Sequence, residues 1–286
     1  MTEGGIRTVG VVGLGAMGAG IAQLAIEAGF ATIGHELDAD AGEAARVRIT
    51  HFLARKVDKG QLAAEARDAA LDRLRLSSDL SELAACEVVI EAAFEDLAVK
   101  HELFRALEAV VPDETILATN TSALSVTESA SVLELPERAV GMHFFNPAPL
   151  MPLVEIVRAE RTAAPVAAAA RAFGIALGKT PIDCSDTPGF VVNRVLIPLL
   201  NDCVRVLDEA AITPEGLDAG MKLGAGWPMG PCTLLDLVGV DVHVHASEAL
   251  YDKLREPRMA PPARLVRMFK AGKLGRKSGE GFYRYD

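Results

Sequence analysis

The chain reads as an α/β domain, built on a doubly wound and mostly parallel sheet, followed by an all-α domain. Three observations carry that reading. A short β-rich run, Thr8 to Val12, leads directly into a glycine turn and an amphipathic helix. Strand-like and helix-like segments then alternate through the first half of the chain, the pattern of parallel strands joined by crossover helices. After about Cys184 the strand runs stop and helical periodicity takes over.

Taken in order, Ala16 to Ala28 spaces its apolar residues for a helix and ends at Gly29, a residue suited to the left-handed turn that closes helices. Ala31 to His35 predicts a second strand. Residues 40 to 75, rich in Ala, Leu and Arg, predict two amphipathic helices joined near Gly60. Further strands fit Val88 to Glu91, Ile116 to Ala118, Ala139 to His143 and Val154 to Val157, and the run Ala167 to Ala170 fits a helix. Val191 to Glu209 then predicts a long helix, with Pro188 near its start, where a missing N–H is tolerated. Helices follow over 214–223, 231–250 and 261–271, and a short strand over Phe282 to Tyr285. The change of texture puts the boundary in the Ser185–Pro188 turn, giving domains of residues 1–185 and 186–286.

Two domains suit a length of 286 residues, and a half-apolar, quarter-charged composition suits a packed soluble protein. A net charge of −10 argues against broad binding to nucleic acid or to anionic membranes. Cys86, Cys184, Cys203 and Cys232 form no CxxC pair, so they read as free thiols in a reducing compartment. The beginning of the sequence lacks the pattern of a secretory signal, and the run Val9 to Val12 is too short to span a bilayer; the expected location is cytoplasmic. His51, His101, His243 and His245 show no ligand constellation, and no metal is expected.

The glycine turn reads Gly13-Leu14-Gly15-Ala16-Met17-Gly18. Gly13 permits the tight turn, Gly15 lets backbone approach a pyrophosphate, and Gly18 lets the helix pack closely on the strand. The N–H groups of Ala16 and Met17 open the helix, where its dipole favours phosphate. Glycines in this spacing also occur in plain turns. Here they sit between strand and helix, and Glu36 stands at the end of the second strand, 18 positions beyond Gly18. Such a carboxylate accepts hydrogen bonds from the adenosine ribose and repels a 2′-phosphate. The reading is therefore a Rossmann-type domain that binds NAD rather than NADP.

A second cluster speaks to chemistry. It reads His143-Phe144-Phe145-Asn146-Pro147, with Glu155 twelve residues on. Histidine at the end of a strand can take a proton from an alcohol near neutral pH, and a carboxylate can orient the ring and stabilise the imidazolium. His143 alone would read equally as a structural histidine.

Longer stretches decide between these readings: GLGAMGAGIAQ from Gly13, VIEAAFEDLAVK from Val89, TNTSAL from Thr119 and GMHFFNPAPLMPLVEIV from Gly141. They continue with DTPGFVVNRVLIPLLND from Asp186, GAGWPMGPCTLLDLVGVD from Gly224 and GRKSGEGFYRY from Gly275. Nearly end to end, the chain resembles the short-chain L-3-hydroxyacyl-CoA dehydrogenase family, which includes bacterial 3-hydroxybutyryl-CoA dehydrogenases. The resemblance implies that His143 is the catalytic base, that Glu155 is its partner, and that Ser122 and Asn193 hold the reacting oxygen and thioester of the substrate. It implies cofactor contacts at Glu95 and Lys100, on the nicotinamide-ribose side, and at Asn120, beside the nicotinamide. Lys59 aligns with a lysine that meets CoA, with Arg55 and Lys56 competing for that role. An acyl-CoA substrate, a homodimer formed through the helical domain and an active site between the domains are implied as well.

Three alternatives stand beside this reading. β-Hydroxyacid dehydrogenases share the GLGxMG opening but use a catalytic lysine at a glycine-rich helix start, a motif not found here. The same chemistry could act on a hydroxyacyl group carried by an acyl carrier protein. A catalytically inactive NAD-binding relative is the third, and the intact set Ser122, His143, Glu155 and Asn193 argues against it.

Overall fold

The computed structural model describes residues 5–285. Its contacts divide into two compact units after Thr187. The first holds an eight-stranded sheet in the order β3-β2-β1-β4-β5-β6-β7-β8. The strands are β1 (Thr8–Val12), β2 (Ala31–His35), β3 (Leu74–Ser77), β4 (Val88–Glu91), β5 (Ile116–Thr119), β6 (Ala139–Phe144), β7 (Leu153–Arg158) and β8 (Thr180–Ser185). All neighbouring pairs are parallel except β6 and β7. The helices are α1 (Ala16–Glu27), α2 (Ala39–Asp58), α3 (Ala64–Leu71), α4 (Leu97–Val110), α5 (Val126–Ala130) and α6 (Ala164–Ala176). Central strands of such a sheet are covered on both faces and so read as unbroken apolar runs. Val9, Val11, Val88, Val89, Ile90 and Leu117 are accordingly fully buried. The strand order reverses beside β1, which places a crevice beyond the C-terminal ends of β1 and β4.

The excursion between β2 and β3 contains the two expected helices. α2 buries Gly42, Ala45, Ile49 and Leu53, one stripe at three- and four-residue spacing, and Gly60, at φ +67°, follows its end. Two strands in this unit were not anticipated. β3 (Leu-Arg-Leu-Ser) begins within the last two residues of the span assigned to helices and runs past it, because four residues with an arginine give too little pattern to separate from a helix end. β8 pairs only with β7 and fully buries only Pro181 of its six residues, which weakens the apolar signal of an outer strand.

The second unit is helical: α7 (Val192–Glu209), α8 (Pro214–Gly224), α9 (Pro231–Val238), α10 (Val240–Leu254) and α11 (Ala263–Lys270). Leu200, Val204, Leu235, Val240, Val244 and Leu265 form its core. The single helix expected over 231–250 is two, broken at Gly239, whose φ of +105° no helix accommodates. Pro188 lies four residues before α7 rather than at its first turn, and Pro198 lies inside that helix. The expected tail strand is also absent. The Asp236 carboxylate accepts the N–H groups of Phe282 and Tyr283 at 2.9 Å, so they leave no ladder, and Glu280 and Arg284 make an isolated bridge. Among the described residues no helix is long and apolar enough to cross a membrane.

Candidate active site

The glycine loop, Glu36 and the turn after Thr119 follow the C-terminal ends of adjoining strands, and Glu91 is the last residue of β4. Val12, ending β1, is in register with His35 on one side and Glu91 on the other. Gly13 has φ +84°, and a Cβ there would meet the backbone of Ala92 and Ala93 at 2.9 Å. At Gly18 a Cβ would lie 1.8 Å from the Gly13 carbonyl oxygen, so only glycine lets α1 sit this close to its strand. At Gly15, by contrast, nothing beyond its own chain neighbours comes within 4 Å of that position. The space in front of Ala16 and Met17 is therefore open. α1 begins there with no side-chain cap and no acidic residue in its first turn, which leaves its N–H groups and dipole for an anion. Glu36 ties the loop to β2: Oε2 accepts from Leu14 N at 2.9 Å and Oε1 from Leu37 N at 3.1 Å. These residues fit a dinucleotide, with an open cradle for the pyrophosphate and a fixed carboxylate with lone pairs remaining for ribose hydroxyls.

His143 and Glu155 face each other in the antiparallel β6–β7 register. Directly opposite residues on one face of such a pair bring their side chains together, and here Nδ1 of His143 lies 2.6 Å from Glu155 Oε2. The ring is 5 % exposed and the carboxylate is fully buried. Phe145 packs at 4.6 Å between ring centroids. Asn120 links the neighbouring strand ends, because its N–H donates to the Glu91 carbonyl and its Oδ1 accepts from Phe144 N at 2.9 Å.

Glu95, in the loop after β4, reaches the turn after β5. Its Oε1 accepts from Thr121 Oγ1 at 2.7 Å, Ser122 N at 2.8 Å, Ala123 N at 2.9 Å and Ser122 Oγ at 3.3 Å. Burial works against its ionisation, but the Lys100 ammonium and these hydrogen bonds outweigh it and hold the carboxyl below the usual carboxylate range. Lys100 Nζ lies 3.4 Å from Glu95 Oε2 and 2.8 Å from both oxygens of Glu91.

A cavity of about 680 Å³ opens between the glycine loop and α2, lined among others by Gly15, Arg48, Phe52, Arg55, Lys59 and Pro147. Lys59 caps the end of α2 and is exposed. Lys56 also lines the cavity but is engaged by Glu27. Arg48 Nη2 donates to the Leu14 carbonyl at 2.7 Å. Asn193 stands in the first turn of α7, in the second unit.

The structure thus brings His143 to Glu155, Asn120 to the end of β6, and Glu95 to Lys100 and Ser122. Glu91 and Arg48 were missed by sequence reasoning. Glu91 reads as one more strand residue until Lys100, nine positions on, is seen to return to it, and Arg48 is one of several arginines on an exposed helix face.

A Rossmann-type sheet with this open glycine-loop cradle defines the class, a nicotinamide-dependent dehydrogenase. Residues 8–187 match the family described as 3-hydroxyacyl-CoA dehydrogenase, NAD binding domain, and residues 189–285 match 3-hydroxyacyl-CoA dehydrogenase, C-terminal domain. The chain belongs to the 3-hydroxyacyl-CoA dehydrogenase family, and its cofactor is NAD. It is 42% identical over 282 residues to the 3-hydroxybutyryl-CoA dehydrogenase of Mycobacterium tuberculosis, covering 98% of this chain and 99% of the relative. To the mitochondrial hydroxyacyl-coenzyme A dehydrogenase of Homo sapiens it is 37% identical over 288 residues, covering 98% and 91%. The crystal structure of (S)-3-hydroxybutyryl-CoA dehydrogenase from Ralstonia eutropha superposes with a TM-score of 0.95 at 39% identity, covering 98% of this chain and 99% of that one.

Proposed function

We propose that the protein interconverts a short-chain L-3-hydroxyacyl-CoA, with 3-hydroxybutyryl-CoA as the favoured substrate, and the matching 3-ketoacyl-CoA. The observation that carries this is the His143–Glu155 pair, set at 2.6 Å by strand register beside a dinucleotide cradle. Bound NAD supplies the hydride acceptor in the oxidative direction. The chain's own residues do the rest. With Nδ1 held by Glu155, His143 uses Nε2 to take the 3-hydroxyl proton, and in reduction it returns one to the forming alkoxide. Glu155 orients the ring and offsets the imidazolium charge. Ser122 and Asn193 hold the reacting oxygen and thioester so that the hydride path is short and aligned. Glu36 favours NAD over its 2′-phosphorylated form. Lys59, helped by Arg48 and Arg55 on the same cavity, meets the CoA phosphates.

The molecule works as a homodimer in the cytoplasm on this reading. Val195, Leu223, Leu237, Val238 and Val242 are exposed apolar residues of the helical unit, and a second copy would cover them. The test of the chemistry is His143→Gln. It should fold and bind NADH while turnover of acetoacetyl-CoA falls about 100- to 10,000-fold, the usual range for lost acid–base assistance. Turnover near that of the unaltered chain would remove His143 from the mechanism.

A further inference from the structure

The loop that joins β6 to β7, Phe145 to Pro152, contains Pro147, Pro149 and Pro152. Proline has no N–H, so this loop is short of donors for its own carbonyls. The Pro147 carbonyl accepts from Leu150 N at 3.0 Å and from Met151 N at 3.1 Å, and the Pro152 carbonyl accepts from Thr180 N at 2.7 Å. The carbonyls of Ala148 and Met151 take a donor from outside the loop. Lys179 Nζ donates to both, at 2.6 Å and 2.8 Å.

Lys179 is an unexpected side chain for that place. It is 8 % exposed, and the carboxylate that acts on it, Glu27, is paired with Lys56 instead. Burial, and after it the Lys56 ammonium, push its pKa below the ordinary lysine value, while Glu27 pulls the other way. A buried ammonium without a paired carboxylate costs stability, and an apolar side chain would avoid that cost. What an apolar side chain could not do is gather two carbonyls from different points of one loop. The backbone of Lys179 is itself anchored: its N–H donates to the Gly174 carbonyl in the last turn of α6, and β8 begins at the next residue. The loop also rests on α1, where a Cβ at Gly20 would meet Pro149 Cδ at 3.0 Å and Ala148 Cβ at 3.2 Å. What α1 and Lys179 hold is one wall of the cavity beside α2. Asn146, Pro147, Pro149 and Leu150 line that cavity, as do Arg55 and Lys59.

We propose that Lys179 is a positioning residue that fixes the β6–β7 loop as a wall of the substrate cavity and so sets the affinity for the CoA thioester without touching it. The inference rests on the reading above that this cavity takes CoA. His143 and Glu155 are held by the β6–β7 ladder itself, so the chemical step does not depend on the loop. The charged groups facing Lys179 are Lys56 from α2 and Glu27 from the end of α1.

Two variants test this. Lys179→Met keeps the apolar stem and removes the donors. KM for acetoacetyl-CoA should rise about fivefold or more, with kcat and the Kd for NADH within about threefold of the unaltered chain, the pattern of lost uniform binding. Amide hydrogen exchange at Leu150 and Met151 should quicken about tenfold or more, while exchange along β6 and β7 stays as it was. Lys179→Gln keeps N–H donors on a shorter side chain and should fall between Lys and Met in both readouts. Unaltered KM and unaltered exchange in Lys179→Met would overturn the proposal. A fall in kcat with KM unchanged would overturn it too, because it would put Lys179 in the chemical step. If Lys179→Met does not fold, Lys179→Gln decides: KM and exchange equal to those of the unaltered chain would make Lys179 a residue of the fold alone. An unaltered chain that does not bind acetoacetyl-CoA would defeat the substrate reading, and exchange at Leu150 and Met151 would still judge whether Lys179 holds the loop.

Discussion

His143 and Glu36 do different work with the same device, a side chain held in place by a neighbouring strand or loop. His143 is oriented by a carboxylate across an antiparallel pair, and Glu36 is a carboxylate oriented by the N–H groups of Leu14 and Leu37. Because both oxygens of Glu36 are already tethered, it cannot swing aside to admit a 2′-phosphate. The unaltered chain should therefore use NADH at least tenfold more efficiently than NADPH in kcat/KM, compared at subsaturating cofactor. Glu36→Gln keeps the side chain's shape and an acceptor for Leu14 N while removing the charge, so it should narrow that preference. Equal efficiency with the two cofactors in the unaltered chain would overturn the assignment of Glu36.

Helix α10 offers a different kind of test, because it carries a buried histidine with no part in the chemistry. Asn201 uses its Nδ2 to donate to the carbonyls of Arg258 and Met259, so its Oδ1 is left as acceptor for His243 Nε2 at 2.9 Å. Burial pushes His243 down to about 4 from the ordinary 6.5. The folded chain then keeps the ring neutral where the unfolded chain takes up a proton. Stability from this group is complete above about pH 6.5 and is lost as pH falls from there toward 4, by about 3 kcal/mol in all at 1.36 kcal/mol per unit. Urea unfolding at pH 7 and pH 4.5 should show the loss, and His243→Gln should reduce it by about 2 to 3 kcal/mol. The same pH dependence in the variant would show that His243 contributes nothing to it. Where the elements were readable in sequence, a physical pattern repeated enough to be seen. β1 and β2 are short β-rich runs on either side of the helical spacing of α1, and α2 shows its stripe. The His143–Glu155 pair was readable as chemistry from residue types, but its geometry comes from the β6–β7 register. The break at Gly239 and the capture of Phe282 and Tyr283 by Asp236 depend on partners far along the chain, and so no local pattern announces them. Glu91 was hidden for the same reason.

At the scale of the molecule, the first unit carries a cofactor cradle and the His143–Glu155 pair, and the second carries an asparagine of the expected substrate set. The cavity beside α2 adds Arg48, Arg55 and Lys59, compact cations that suit the phosphates of CoA. An acyl carrier protein presents a broad acidic helix face instead, and this chain, with a net charge of −10, would oppose it except across a wide basic patch. The decisive measurement is NADH oxidation by the purified protein with acetoacetyl-CoA and, in parallel, with the acetoacetyl group on acyl carrier protein. The account predicts saturable turnover of acetoacetyl-CoA and much slower turnover of the carrier-bound group. Negligible reaction with acetoacetyl-CoA alongside rapid reaction of the carrier-bound group would contradict it.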